Sequence, residues 1–213
     1  MKRLFLISLL CFLAISVKSQ ETFAQAGNSN KTGLSKNNPF QAHQYEKSIL
    51  TYINELRNHP KNFYQKYIPA YLEKHKSRYT AYYTVSLKKT LLNQHPLPPF
   101  NTSQKLQNIA RKQLRYLTHT LKGKKLMHNQ GKISFAERVK GANLTCFAEN
   151  LYRSTRNDPL AVVLDLLIDQ GVSSLGHRKN LLHPKYNIIG IQSAVAPNGY
   201  KVTVMDFGCE HNK

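Results

Sequence analysis

Apolar residues recur every three or four positions along much of the chain beyond residue 42, which is the spacing of one face of a helix. The first such face consists of Tyr45, Ile49, Tyr52, Ile53 and Leu56. Pro60 predicts the end of that helix and suits the first position of a second one. Pro69 should disturb this second helix. A short helix-like stretch follows from Ser86.

Turn and capping residues divide the middle of the chain into further elements. Three prolines between residues 96 and 99 predict an extended connector, because proline is disfavoured inside helices and inner strands. Thr102 or Ser103 can then cap a long helix. Ser134 and Glu137 match a capping box for a short helix. Asp158, followed by a proline, predicts the start of an apolar helix.

Three stretches alternate between apolar and polar residues in a way that favours β-strands. They cover residues 146–152, 186–195 and 200–207, and a Pro-Asn-Gly turn between the last two predicts a hairpin,. The chain of 213 residues is long enough for one domain with a substantial core,. Four or five helices and about three strands therefore predict an α+β fold with a small antiparallel sheet layered between helices.

The first residues have the pattern of a secretory signal peptide. Lys2 and Arg3 precede an apolar run over residues 4–17, and Ala24-Gln25-Ala26 supplies small residues for cleavage. We predict a signal peptide over residues 1–26 (with Ser19 as a second cleavage position), a flexible leader over 27–41 and the folded domain over 42–213. Because the apolar run is shorter than the ~20 residues of a membrane helix, we expect a secreted or periplasmic protein with no transmembrane segment after cleavage.

The charge of the chain favours anionic partners. It has 31 Lys and Arg residues against 11 Asp and Glu, a formal net charge of +20, and +18 remains after residues 1–26 are removed. Acidic lipid headgroups, cell-wall polymers and nucleic acid all suit such a chain, and the alternative is that the charge only sets solubility. Nucleic acid is the least favoured, because no RRM, KH or zinc-finger pattern accompanies the lysines.

Two cysteines, Cys146 and Cys209, remain beyond the predicted signal peptide. Both lie at the edges of predicted strands. In an oxidising compartment they can form a disulfide, and the alternative is a pair of buried thiols.

Candidate chemistry centres on residues 165–182. An apolar helix that carries Asp165 and Asp169 leads through a glycine-containing turn to His177. This order of residues is suited to placing a carboxylate close to an imidazole. The chain has no His-Glu-x-x-His motif, no Gly-x-Ser-x-Gly motif and no pairing of a cysteine nucleophile with a histidine that would independently indicate catalysis.

Four short segments of the chain each contain a recognisable sequence motif. They are Ile53-Asn54-Glu55-Leu56-Arg57 with Pro60; His128 in a loop after the second long helix; Phe147-Ala148-Glu149-Asn150-Leu151; and Gly176-His177-Arg178-Lys179-Asn180-Leu181-Leu182 with Pro184 and Ile189-Gly190-Ile191. Together they resemble the CAP superfamily (cysteine-rich secretory, antigen 5 and pathogenesis-related proteins) in its bacterial SCP-like form. The resemblance covers roughly residues 44–208.

This resemblance implies a three-layer α-β-α sandwich and a cleft in which two histidines and two acids can hold a divalent metal. Carried over by motif, His128, Glu149 and His177 take three of these positions. Asp169 is preferred to Asp165 for the fourth, where an aspartate shortens the reach of the family's glutamate. Imidazoles and carboxylates suit Zn²⁺ or a similar divalent cation. Without metal, the same groups would form a hydrogen-bonded acid–imidazole cluster.

The resemblance also implies a non-enzymatic binding module for a lipid, another hydrophobic ligand or a surface component. The alternative is a metal-dependent hydrolase, a protease or esterase with Glu149 as general base. A third hypothesis is docking to an anionic envelope polymer through the positive charge. Some residues have structural interpretations instead: Asn54 and Arg57 would brace the first helix, and Asn150 would hold a loop. Glu149 would then anchor backbone or Arg178.

Overall fold

The computed structural model describes residues 39–210, with side chains from residue 41 onward. In this range the helices are α1 (Pro39–Asn58), α2 (Pro60–Lys74), α3 (Ala81–Asn93), α4 (Gln104–Arg115), α5 (Phe135–Val139), α6 (Pro159–Ile168) and α7 (Gly176–Leu181). The strands are β1 (Asn101–Thr102), β2 (Cys146–Ser154), β3 (Ile188–Val195) and β4 (Lys201–Cys209). The predicted signal peptide and most of the predicted leader lie outside the described residues. Helix α1 includes the last three residues of that leader.

The four strands form one sheet in the order β1-β3-β4-β2. Strand β4 pairs antiparallel with both β3 and β2, which confirms the predicted antiparallel sheet and hairpin. Strand β1 was not predicted; it adds two residues parallel to β3. Because β2 lies at the opposite end of this order, it is an edge strand.

Helices cover both faces of the sheet, as expected for a three-layer α-β-α sandwich. Helices α1, α2, α3 and α6 share one apolar core with Tyr152, Met205 and Phe207 of the sheet. Helix α4 packs on the other face, in a smaller core with Leu151 and Val204. Leu151 and Tyr152 are neighbours on β2, so successive residues of this strand contribute to different layers.

The predicted helix boundaries are confirmed where capping residues mark them. The Ser103 hydroxyl accepts the N–H of Leu106 at the start of α4. Ser134 and Glu137 form the predicted capping box of α5. Asp158 caps α6, with the expected proline in its first turn.

Helix α2 differs from the sequence prediction because it continues through Pro69 to Lys74. Proline removes one backbone hydrogen bond. Phe63 and Ile68 on the same helix are completely buried, and burial of such an apolar face stabilises a helix more than a single hydrogen bond does. The tertiary packing of α2 therefore outweighs the tendency of Pro69 to interrupt the helix.

Arg57 and Asn54 brace α1, as predicted. The buried Arg57 guanidinium donates to four backbone carbonyls, those of Pro98, Leu181, His183 and Tyr186. Asn54 exchanges two hydrogen bonds with the backbone of Phe100. These two side chains fix the proline-rich connector and the segment after α7 against the first helix.

Cys146 and Cys209 form a disulfide, with their Cα atoms 5.1 Å apart. The two residues are register partners at the ends of β2 and β4. The structure therefore decides between the two alternatives for these cysteines in favour of the bridge. Among the described helices, none is both long enough and apolar enough to span a bilayer.

Candidate functional site

Asp169 and His177 form the first of two histidine–carboxylate pairs. Asp169 follows α6 in a left-handed conformation with φ of 60°, which aspartate tolerates better than most residues. One of its oxygens lies 2.7 Å from Nδ1 of His177. The other accepts the backbone N–H groups of His177 and Arg178. The carboxylate therefore fixes both the ring of His177 and the first turn of α7.

Arg178 holds in place the backbone that carries this pair. Its buried guanidinium donates to the carbonyls of Leu167 and Ile168 at the end of α6, and to the hydroxyl of Ser86 on α3. Burial lowers the pKa of Arg178, and the nearby charge of Asp169 opposes that change. Arg178 thus joins the end of α6 to α3 and holds the turn that carries Asp169.

His128 and Glu149 form the second pair. Nδ1 of His128 lies 2.8 Å from one oxygen of Glu149, and the other oxygen accepts from Arg138 at 2.7 Å. Arg138 also donates to the backbone carbonyl of His128. The Glu149 side chain is completely buried, whereas the His128 side chain is 53% exposed. The arginine that pairs with Glu149 is therefore Arg138 on α5 and not Arg178, as one sequence interpretation had suggested.

Strand β2 links the two pairs. Glu149 reaches His128 on the side of α4. The next residue, Asn150, donates to the backbone carbonyl of His177 at 3.1 Å and accepts from Asn180 at 2.8 Å. The structural role predicted for Asn150 is confirmed, because it holds α7 against β2.

Asp165 takes no part in either pair. Its carboxylate accepts hydrogen bonds from the hydroxyls of Tyr71, Tyr79 and Tyr152 and from Arg156. Burial, followed by the bond to Asp165, raises the pKa of Tyr79. This network ties α2 and β2 to α6, so Asp169 and not Asp165 is the acid that accompanies His177.

Asp206 is a member of the site region that sequence reasoning missed. It is the register partner of Glu149 on β4, and it is completely buried. Among the described residues no donor group reaches either of its carboxylate oxygens, and the polar group beside it is another carboxyl, that of Glu149, which it can bond only when one of the two is protonated. Burial and the neighbouring charge of Glu149 raise its pKa well above the usual range. In the sequence, Asp206 looks like one more polar residue of an alternating strand.

A cavity of about 280 Å³ lies beside the first pair. His177 and Asp169 line it together with Tyr79, Tyr152, Arg78 and Arg153. The cavity also includes Asp165, so its two arginines are matched by two aspartates, and Leu126, Leu151, Leu166 and Val172 add apolar surface. Its size suits a small ligand or one group of a larger one.

The four predicted site residues come together as two pairs and not as one ligand shell. Within residues 39–210, no three or more His, Cys, Asp or Glu side chains are grouped as a metal site. An ionised carboxylate can bond Nδ1 only as an acceptor, and in a neutral imidazole protonated at Nδ1 the lone pair lies on Nε2,. In each pair the carboxylate is the hydrogen-bond partner of an imidazole, an arrangement also found behind metal-ligating histidines.

The family model described as "CAP: Cysteine-rich secretory protein family" matches residues 50–207. This match includes both histidine–carboxylate pairs and most of the sheet. The chain belongs to the CAP family. The resemblance drawn from the four sequence segments is therefore confirmed.

Three solved structures are similar to parts of this chain. An extracellular SCP-domain protein of Bacillus anthracis is 16% identical over 81% of this chain, with a TM-score of 0.46, and the match spans 44% of the bacterial protein. An outer surface protein of Borrelia burgdorferi is 18% identical over 65% of this chain and 94% of its own, with a TM-score of 0.43. The venom allergen-like protein 4 of Schistosoma mansoni is 13% identical over 79% of this chain and 90% of its own, with a TM-score of 0.47. No curated protein sequence matches the chain significantly.

Proposed function

We propose that this CAP protein is an exported binding module that takes up a divalent cation through Nε2 of His128 and Nε2 of His177. The proposal rests on one observation: the imidazole rings of His128 and His177 are held in the same way. Each has Nδ1 held by a completely buried carboxylate at 2.7 to 2.8 Å. Each therefore keeps Nε2 as its free donor.

The chemistry of these pairs fits a metal site. A histidine that ligates zinc usually donates its other N–H to a carboxylate or carbonyl, which fixes the tautomer and raises the basicity of the ligating nitrogen. Two imidazoles suit Zn²⁺ or a similar borderline ion, and such an ion with open positions would supply a binding point for a ligand oxygen. Glu149 and Asp169 would orient the rings.

The hydrolase alternative is less well supported by the same geometry. A general base needs a carboxylate oxygen that can reach a water molecule. Both oxygens of Glu149 are engaged, one with His128 and one with Arg138. This arrangement favours a positioning role for Glu149 and a binding role for the site.

Export is part of the proposal. The signal-peptide pattern of residues 1–26 and the disulfide between Cys146 and Cys209 both suit an oxidising compartment outside the cytoplasm,. The cavity beside His177 carries arginines, aspartates and tyrosines together with apolar residues, so it is suited to a ligand with both polar and apolar groups, and an envelope component would meet that requirement.

Calorimetric titration of chelator-treated protein with Zn²⁺ tests the metal proposal. We expect one site, and His128→Ala or His177→Ala should weaken binding about tenfold or more, because each removes half of the imidazole donors. His95→Ala, in an exposed histidine of the connector, is the matched control and should bind like the parent protein. Parent-like affinity in both site variants would contradict the proposal. Turnover of a peptide or ester panel that disappears in Glu149→Gln would instead support the hydrolase.

A further inference from the structure

Three large apolar side chains are exposed in one region around His128. Ile133 is 50% exposed, and Met127 and Phe147 are each 41% exposed. They account for half of the six exposed large hydrophobic residues in the described part of the chain. Ile133 and Met127 belong to the segment between α4 and β2 (residues 121–145, the α4–β2 segment), and Phe147 is the second residue of β2.

The α4–β2 segment presents these side chains from a defined backbone. Gln130 and Ile133 exchange two backbone hydrogen bonds at 2.8 and 3.0 Å, so the residues between them form a tight turn. The N–H of Gly131 in this turn donates to the hydroxyl of Tyr116 at 3.0 Å. This attachment to the turn after α4 fixes the tip that carries Lys132 and Ile133.

The neighbouring side chains are held as well. Gln113 of α4 donates to the backbone carbonyl of Met127. The ring of Phe147 packs edge-on against Phe135, with centroids 5.6 Å apart. Hydrogen bonds and ring packing therefore hold the backbone around these apolar residues in place. Part of each apolar side chain remains exposed to solvent.

The same segment is strongly cationic. Its exposed lysines are Lys122, Lys124, Lys125, Lys132 and Lys140. Among the described ion pairs, none involves these five lysines. The single carboxylate of the segment, Glu137, is taken up by the capping box with Ser134. The segment thus combines lysines outside the described ion pairs with exposed apolar groups.

We infer that the α4–β2 segment and Phe147 dock the domain onto the surface of a lipid bilayer that carries anionic headgroups. A bilayer of this kind attracts lysines to its headgroups and accepts apolar side chains at the boundary with the acyl chains. A soluble polyanion would use the lysines but would leave Ile133, Met127 and Phe147 in water. Charge complementarity and apolar exposure together favour the bilayer.

Docking in this way has a consequence for the site. His128 lies within the α4–β2 segment and its ring is half exposed, so a docked domain brings the His128–Glu149 pair to the level of the headgroups. Apart from His128, the docking surface contains no residue of the proposed metal site. The inference therefore goes beyond the proposed metal site and does not depend on it.

Co-sedimentation with vesicles tests the inference, using the protein without residues 1–26 and with chelator present to exclude metal effects. We expect binding to vesicles of phosphatidylglycerol mixed with phosphatidylcholine, and little binding to phosphatidylcholine alone. Lys125→Gln with Lys132→Gln should lower the partition coefficient about tenfold or more, given the attraction of each lysine to an anionic surface. Ile133→Ser should lower it about fivefold through lost apolar burial.

A matched control comes from α3, which packs against α2 and α6 in the other layer. It carries the exposed apolar residues Tyr82 and Val85. Tyr82→Ser with Val85→Ser, and Lys88→Gln with Lys89→Gln, should leave vesicle binding unchanged. Equal losses in these controls would overturn the inference. So would full binding by Ile133→Ser combined with loss of binding in high salt, because that result describes a purely electrostatic polyanion site.

Discussion

Asp169 binds His177 twice, through the ring nitrogen Nδ1 at 2.7 Å and through the backbone N–H at 3.0 Å. The carboxylate therefore sets the position of the ring relative to the helix that carries it. Neither contact needs a metal ion.

Asp169→Asn should weaken Zn²⁺ binding about 10- to 100-fold, the usual loss when the partner of a metal-bound histidine is changed. Asparagine tolerates the left-handed backbone at this position, so the fold should survive. Calorimetric titration of the purified variant measures the loss. Asp158→Asn replaces one good helix cap by another and should bind like the parent protein. Unchanged affinity in Asp169→Asn would show that the carboxylate does not orient the ring.

Gly190→Ala should destabilise the protein strongly. A Cβ at this position would clash with the carbonyl carbon of Leu106 and with the backbone nitrogen of Gln107. Both are backbone atoms of α4 and cannot move without shifting the helix off the sheet. We expect a loss of about 3 kcal/mol or more, as for severe overpacking, measured by urea unfolding. Gly141→Ala meets no atom within 4 Å and is the matched control; equal stabilities would contradict the close approach of α4.

Loss of the disulfide should lower the free energy of unfolding by about 4 kcal/mol, the value expected from chain entropy for a loop of this length. The two cysteines are 63 residues apart in the sequence. Cys146→Ser with Cys209→Ser, compared with the oxidised parent in denaturant titrations, measures the difference. Adding a reductant should bring the parent to the stability of the double variant and leave that variant unchanged.

Glu46 should make stability depend on pH. Burial raises its pKa from 4.5 to about 7, although the bond from the N–H of Ser193 and the charges of Arg111 and Lys201 oppose this rise. The folded protein therefore binds this proton more tightly than the unfolded chain does, so the contribution of Glu46 to stability is fully present below pH 4.5 and declines until about pH 7,. The decline should be on the order of 1 to 2 kcal/mol, allowing for partial exposure.

Glu46→Gln should flatten this part of the pH profile, because the amide still accepts from Ser193 but does not ionise. Denaturant unfolding at a series of pH values gives the profile. Glu73→Gln, at an exposed position on α2, should retain the decline seen in the parent protein. A decline that persists unchanged in Glu46→Gln would assign it to other groups.

Local signals explain why most of the fold could be predicted. Ser103, the Ser134–Glu137 box and Asp158 mark helix starts through contacts within three residues of themselves, and such contacts are visible in sequence. The two residues of β1 were missed because their pairing with β3 joins segments more than 80 residues apart. The disturbing effect of Pro69 on α2 was overestimated, because the burial that stabilises this helix is a tertiary effect and is not visible in the local sequence.

The candidate site, like the fold, could be predicted only in part from the sequence. Motif order identified His128, Glu149, Asp169 and His177, and the structure places each of them beside another member of the set. Motifs did not show that the carboxylates would hold Nδ1, since that depends on the orientation of two rings. Arg138 and Asp206 were missed because nothing in their local sequence distinguishes them from ordinary helix and strand residues.

The disulfide has a consequence for alignment as well as for stability. It joins Cys146 to its register partner Cys209, three residues before Glu149 faces Asp206. A slip of one residue between β2 and β4 would turn Glu149 to the layer of α6 and Asn150 to the layer of α4. Both histidines would then lose their connection through β2. The disulfide therefore keeps the edge strand β2 in register with β4, and it forms only in surroundings that oxidise thiols.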